Sequence, residues 1–410
     1  MPNSANTIRF ILLTIIIDAI GFGIIIPVAP DLLREVGRFD LAHATIVGGW
    51  MNILFAGFQF VFGTIIGNLG DRFGRRPILL GALAGFSINF FLQAQAHTVI
   101  WLFVGQAVAG VFGGTYGAAQ AALADITPAE DRARVFGYVG AAFGIGFVIG
   151  PAIGGYLGGL GPRVPFYVAS ALAALNFVYG FLLFPETLAK ENRRPFDWRR
   201  ANPFGALMVL GKFPGLSMLA LVLLFWQIAS LAYPITWSIY MIAAFNASQA
   251  LRGLSLAGVG IAMAAVQILF TGRLVKRFGE RNAAIFGLSM AIWTFIVFAI
   301  APFNPWLLLL GVSMPFGNIT QPSLMAMMSK RATATNQGEV QGFSASVMSL
   351  GAIFAPMIFS PILSHYIDPA APMRFPGAAF VAAALIGLFT LLLLNLTPRM
   401  KRETVTPALG

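Results

Sequence analysis

"GNLGDRFGRRP", residues 67–77, returns 205 residues later as "GRLVKRFGERN", residues 272–282, with Gly67/Gly272, Leu69/Leu274, Arg72/Arg277, Phe73/Phe278, Gly74/Gly279 and Arg76/Arg281 in register. The same offset pairs "RVFGY" at 134–138 with "EVQGF" at 339–343, and Pro151 with Pro356. Two separate matches at one offset indicate an internal duplication. Each copy of the basic stretch is a short polar interruption between long apolar runs, so the duplicated unit is a piece of a membrane protein.

Outward from these stretches lie twelve apolar runs, at 8–29, 43–66, 77–97, 100–124, 135–160, 164–184, 216–244, 249–271, 281–301, 305–327, 339–361 and 376–396. Runs of roughly 18 to 25 residues are long enough to cross about 30 Å of hydrocarbon at about 1.5 Å per residue. Of the 410 residues 58% are hydrophobic and 10% charged, and the mean hydropathy is +0.81, which excludes a water-soluble domain of this length. The first run follows a nearly uncharged stretch, lacks a small-residue cleavage site and is followed by eleven more, so it reads as a retained helix and not a signal peptide.

The expected fold is an all-α membrane protein of twelve transmembrane helices in two pseudo-symmetric six-helix halves. Residues 1–184 form the first half, 216–410 the second, and 185–215 a cytoplasmic linker that opens with "PETLAKENRRPFDWRRANP". Parallel halves around a central cavity suit a transporter, because rocking one against the other exposes the cavity to alternate sides.

With both termini cytoplasmic, 21 Lys and Arg residues fall in inside segments and 5 outside, namely Arg34, Arg38, Arg163, Arg252 and Arg374. That asymmetry sets the orientation. The net charge of +11 then reflects topology and contact with anionic lipid, and no nucleic acid is expected as a partner. The chain has no cysteine and only three scattered histidines (His43, His97, His365), so neither a disulfide nor a metal centre is expected. No P-loop, metal-ligand cluster or Ser/His/Asp arrangement is present, so neither an enzyme nor a cofactor is expected. The partners expected are a small amphiphilic substrate, protons and membrane lipid, with one chain acting as a monomer.

In the opening stretch Gly67, Gly70 and Gly74 would permit a tight turn, while Asp71, Arg72, Arg75 and Arg76 can form a compact ionic cluster. Asp125, in "ADITP", is an available partner. Set between the halves, such a cluster would hold an inner gate shut in one state and break in the other; alternatively, the arginines are positive-inside anchors. Gly146, Gly150, Gly154 and Gly155 around Pro151, in "GFVIGPAIGG", leave a bent, narrow helix suited to a moving interface or to ordinary small-residue packing.

"IIIDAIGFGIIIP", residues 15–27, sets Asp18 ten residues into the first run, about 15 Å deep. An Asp there costs roughly 2.5–3.5 kcal/mol on insertion scales, and no other acidic or basic residue falls in the middle of any run. Asp18 must therefore face a cavity or a polar partner. It is a candidate proton carrier or counter-ion for a cationic compound; the alternative is a neutral acid bonded to a neighbouring helix through Gln106 or Gln120.

Other candidates for a cavity wall are Asn52 and Gln59, Gln106, Tyr116 and Gln120, and Asn318 and Gln321. Trp226, Tyr233, Trp237 and Tyr240 recur at spacings of 7, 4 and 3 and share a helix face, placed to stack on a planar or cationic ligand, to pack internally or to face lipid. The 38 Phe residues and the single buried acid favour an amphiphilic substrate over a sugar phosphate or dicarboxylate.

"GNLGDRFGRRP" resembles the signature loop of the major facilitator superfamily, and "GFVIGPAIGG" the glycine and proline pattern of its drug:proton antiporters. With "DAIGFGIIIPVAPDLLREV", "ADIT" and "VFGYVGAAFGIGFVIGPAIGGYLGG", the chain looks like the tetracycline-efflux branch, densely over six helices and collinearly to about residue 368. The resemblance implies alternating-access export of small amphiphilic, antibiotic-like compounds across a bacterial inner membrane, and a part for Asp18 in proton and substrate handling. The pattern departs at Gln106, where the family carries a buried arginine in "GRxxxG", and at Met263 and Ala291, which align approximately with a histidine and an aspartate of the tetracycline pumps. Two other readings stay open: an uncoupled facilitator or lipid or metabolite flippase, and a membrane sensor or scaffold.

Overall fold

The computed structural model describes residues 4–113, 115–128, 131–198, 202, 216–331 and 337–398. The side chains of Tyr116, Arg132 and Arg134, and the whole of Arg199, Arg200, Lys212, Arg399, Lys401 and Arg402, lie outside the described residues, as does most of 199–215. Among those described there is helix and no strand. Apolar sequence in hydrocarbon must satisfy its own backbone polar groups, and helices do so within one segment.

In chain order the α-helices are α1 (Ser4–Ile25), α2 (Ala29–Gly37), α3 (Leu41–Phe73), α4 (Arg75–Ala94), α5 (Val99–Phe112), α6 (Thr115–Ile126), α7 (Arg132–Gly158) and α8 (Val164–Leu183). There follow α9 (Leu216–Ser230), α10 (Ala232–Phe245), α11 (Gln249–Val266), α12 (Gly272–Ile300), α13 (Met314–Gly317), α14 (Thr320–Ser329), α15 (Gln337–Ile367) and α16 (Ala378–Leu396). Polar side chains begin two of the long ones. Asp40 accepts from the His43 backbone N–H at 2.7 Å, which with the His43 ring holds the Asp40 carboxyl below its usual range, and Ser248 accepts from Leu251 N–H at 3.2 Å.

Among the described residues ten stretches are long and apolar enough to cross a bilayer, one of them the 55 residues Gln249–Phe303. At about 1.5 Å per residue that stretch is more than twice the hydrocarbon thickness, so it must reverse. It does so at Gly279, whose φ of 80° breaks α12 internally. Counting that stretch as two crossings and adding Pro305–Ser329, the chain accommodates twelve.

The breaks the apolar runs conceal have local causes. Pro234 has no N–H to offer the Ser230 carbonyl, and the seventh run divides there into α9 and α10. Pro305 and Pro315 divide the tenth run into a 3₁₀ segment, Pro305–Ser313, and the short α13 and α14. The short α2, outside any run, buries Leu32 and Leu33 and stops at Arg38 in the left-handed region.

Most of the opening stretch is helix, and the tight turn expected of its three glycines is confined to Gly74, between α3 and α4. Gly67 and Gly70 lie inside α3, and Asp71 near its end bonds Arg75, the first residue of α4, at 2.7 Å across the break at Gly74. Only Gly74 needs to be glycine: its φ is 105° with ψ 165°, and a Cβ there would strike the Glu186 carboxylate. Gly67→Ala is expected to be neutral or stabilising by about 0.5–1 kcal/mol, since a Cβ there meets open space. Gly74→Ala is expected to lose about 1–3 kcal/mol. Thermal unfolding of the two purified variants checks the contrast.

α1 packs on α7 and α8, and α4 on α8; α9 packs on α15 and α16, and α12 on α16. The two sets meet along α7 with α11 and α3 with α15. At one end of these seams the backbones touch: a Cβ on Gly155 would stand 2.6 Å from the Gln249 carbonyl oxygen, and one on Gly49 2.6 Å from the Ser360 side chain. Towards the Gly74 end, Gly57, Gly63 and Gly67 of α3, Gly137, Gly140 and Gly144 of α7, and Gly342 of α15 have open space beside them. The bundle is closed at the Asp31 end and open at the Gly74 end.

Of the helix-breaking glycines expected at a moving interface, only Gly155 reaches across it. Gly146, Gly150 and Gly154 lie against Ile16 to Ile24 of α1 in the same half, because α1 and α7 cross there with no room for a Cβ. Pro151 lies between α1 and α11, its ring against Gly23 and its carbonyl against Gly253.

Candidate functional site

A cavity of about 560 Å³ lies between the first eight helices and α10. Asp18 sits half-buried on its wall. Asn52 and Gln59 of α3 and Gln106 of α5 line it too, with Asn89 and Gln93 of α4. Among the described residues that line it, Asp18 is the one titratable side chain. Phe22, Phe55, Phe86, Phe90, Phe143 and Phe147 supply much of the remaining wall.

The partner of Asp18 is neither Gln106 nor Gln120. Asn176 of α8, fully buried, donates through Nδ2 to Asp18 Oδ1 at 3.2 Å and to the Thr14 carbonyl at 3.2 Å. Gln59 donates to the Gly113 carbonyl at 3.2 Å, and Gln93 to Asn89 Oδ1 at 3.0 Å. Asn89, Gln93 and Asn176 escape the sequence reading because one carboxamide in an apolar run costs far less than a charge; the four-residue spacing of Asn89 and Gln93 is the available signal.

Gln120, Asn318 and Gln321 are half-buried away from this cavity, Gln321 beside Met348 Sδ at 3.6 Å. The aromatic face of the seventh run is also elsewhere. Trp226, Tyr233, Trp237 and Tyr240 are all buried in the core of the second half, where Trp237 packs at a tilt against Phe298 and Tyr240 meets Phe380 edge-on. Tyr240 donates to the Phe298 carbonyl at 2.6 Å and Trp237 to Ser255 at 2.8 Å. Large aromatic faces gain most by full burial, so α9 turns Trp226 inward and α10 turns Tyr233, Trp237 and Tyr240 inward, while α10 presents Pro234, Ile235, Ser238 and Ile239 to the cavity. Tyr240→Phe is expected to cost about 1 kcal/mol in stability and leave substrate KM unchanged; unfolding and transport assays separate the two.

At the Gly74 end, Arg75 is buried between two carboxylates, Asp71 at 2.7 Å and Asp125 at 3.0 Å. Glu186 accepts from the backbone N–H of Arg75 at 2.8 Å and lies 3.8 Å from Arg193. Arg76 reaches the Phe181 carbonyl at 2.7 Å, and Arg72 lies over the Phe73 ring at 5.0 Å. Asn68 donates to the Asp197 carbonyl at 2.6 Å, and Arg194 N–H to that of Asp71 at 3.0 Å, so the start of the linker is strapped to this end. Among the described residues, the bonds of Asp71, Arg75, Arg76 and Asp125 given above stay within the first half and the linker. They brace its end rather than bridge to the second half, because the carboxylates close enough to serve are on α3, on α6 and just beyond α8.

The bond between the halves is at the opposite end. Asp31 of α2 meets Arg252 of α11 at 2.5 Å and accepts from Gln249 at 3.0 Å, with Arg252 2% exposed. Ser238 bonds the Ile26 carbonyl at 3.2 Å and Ser364 that of Ala42 at 2.8 Å. Arg252 reads in the sequence as one of few outside cations, and the acid within its reach is visible only in three dimensions.

Membrane-length helices in two packed sets around a cavity open at one end define a membrane transport protein. The chain belongs to the Major Facilitator Superfamily, whose family model matches residues 11–236 and 218–409. It is 35% identical over 388 residues to the class C tetracycline resistance protein of Escherichia coli, covering 95% of this chain and 96% of that one. To multidrug resistance protein 2 of Bacillus subtilis it is 28% identical over 393 residues, covering 94% and 95%. The solved structure of the nucleoside transporter NupG shares the fold, with a TM-score of 0.79 at 15% identity over 97% of this chain and 100% of that one.

Proposed function

We propose that this chain exports small amphiphilic compounds, of the tetracycline or multidrug kind, by alternating access in exchange for protons, with Asp18 as the residue that protons and substrate share. The observation that carries the reading is the cavity: apolar and phenylalanine-rich, with one acid on its wall, open at one end and latched at the other. An amphiphile's apolar body suits the phenylalanines, and its polar group the amides around Asp18. The relatives' names, resistance to tetracycline and to multiple drugs, support export as the direction.

The excess of Lys and Arg at the Gly74 end supports a cytoplasmic setting for that end in a bacterial inner membrane, with both termini on that side. The cavity is then inward-open, ready to load. Residues 1–184 and 216–410 are the two bodies that rock, the linker riding with the first, and a single chain is the working unit. Asp71, Arg75, Asp125 and Glu186 keep the cytoplasmic end of the first body rigid while it moves.

The test is accumulation of labelled tetracycline, then of a panel of amphiphilic drugs, by everted vesicles under an acid-inside gradient. Accumulation that an uncoupler abolishes supports the proposal. Equilibration without accumulation points to a facilitator, and no movement of any compound to a sensor or scaffold.

A further inference from the structure

We infer that Asn176 is the positioning residue for Asp18, holding its carboxylate on the cavity wall and setting the pH range over which it exchanges a proton. The inference rests on the reading of Asp18 given above. Its basis is the bonding of one buried carboxamide. Nδ2 of Asn176 serves two acceptors on α1, Asp18 Oδ1 and the Thr14 carbonyl, each at 3.2 Å. Oδ1 of the same amide is buried with no partner. The group is thus turned to donate to α1 at the expense of its own acceptor, which is the orientation a carboxylate requires.

The two bonds make a clamp across two helices. Asp18 and Thr14 are one turn apart on α1, and the tie to the Thr14 carbonyl fixes the amide so that its other hydrogen points at the acid. α8 packs along both α1 and α4, so a side chain rooted there is held on the body that carries most of the cavity wall.

Among the described residues no charged group is placed to replace this donor. Among the residues described on the helices packed against α1, α8 carries Tyr167 and Tyr179, the latter stacked on Phe10 at 4.8 Å, and α7 carries Tyr138 and Tyr156. α6 ends near Asp125, which is bonded to Arg75. Tyr116 on α6 and Arg132 and Arg134 at the start of α7 have side chains outside those described. None of the described groups lines the cavity with Asp18.

The experiment follows the carboxyl of Asp18 by infrared difference spectroscopy during a pH titration of the purified full chain, using wild type, Asn176→Leu, Asn176→Ser and Asp18→Asn. The protonated-carboxyl band missing from Asp18→Asn is assigned to Asp18. In Asn176→Leu that band is expected to change frequency, and its midpoint to move by about one pH unit or more, the scale of one hydrogen bond to a charged group. Tetracycline-driven proton release in proteoliposomes should show the same displacement of its pH profile. Asn176→Ser, a smaller change, supplies the result should the leucine variant fail to fold. Band and profile superimposable on wild type in the variants that fold would overturn the inference. The two claims fail separately: proton-linked transport surviving in Asp18→Asn sinks the reading of Asp18, whereas loss there with unshifted Asn176 variants sinks only this one.

Discussion

Asp18→Asn is expected to abolish uphill transport while leaving the protein folded and able to equilibrate compound downhill. For one-for-one exchange, an acid-inside gradient of two pH units sustains a concentration ratio of about a hundredfold, because each unit is worth a factor of ten. In the variant that ratio should fall to about one. The size of the effect follows from the wall of the cavity, where no second titratable side chain lies among the described residues to take over. Asparagine is nearly isosteric with aspartate and keeps an acceptor for Asn176 at 3.2 Å, so the loss is one of chemistry and not of packing. Vesicle accumulation at matched expression, compared with efflux of preloaded compound, measures both halves of the prediction.

The second large effect is expected at the opposite end of the bundle. Asp31→Asn leaves the Arg252 guanidinium buried without its 2.5 Å counter-charge. Removing one partner of a buried pair costs about 3–5 kcal/mol, and here the cost falls only on the state in which this end is closed. Three kcal/mol corresponds to a shift of about a hundredfold or more in the balance of the two states. The natural chain has no cysteine, so spin labels on Arg38→Cys and Ala370→Cys report directly on the gap between the halves. In the Asp31→Asn background the label distance should lengthen. In Asp31→Asn with Arg252→Met it should return towards the closed value, since an apolar pair leaves no charge stranded. Distances unchanged in the single variant would remove Asp31 and Arg252 from the gating account.

Most of the fold was legible because a bilayer imposes length and polarity on every crossing. Run lengths and the repeat at 67–77 and 272–282 were enough to indicate an all-helical membrane protein. What the runs concealed were interruptions that depend on a single missing N–H, as at Pro234, or on one backbone torsion, as at Gly279. The site was legible where a residue is costly. Asp18 stands out in its run, and the structure places it beside Asn52, Gln59 and Gln106 on one cavity. Side chains content in more than one setting were not legible. The aromatics at 226, 233, 237 and 240 pack inward, and the amides of Asn89 and Asn176 supply polarity that periodicity does not flag. Pairings between distant segments, Asp31 with Arg252 and Glu186 with the Arg75 backbone, were not legible, because nothing in a sequence says which helix ends meet.

The central claim, that substrate leaves as protons enter through Asp18, is tested most directly by recording proton exit from acid-loaded proteoliposomes holding only this purified chain as tetracycline or a related amphiphile is added. Wild type should release protons in step with uptake of labelled compound, and Asp18→Asn should release none. Uptake by the wild type with no proton movement, or equal proton release by both proteins, would contradict it.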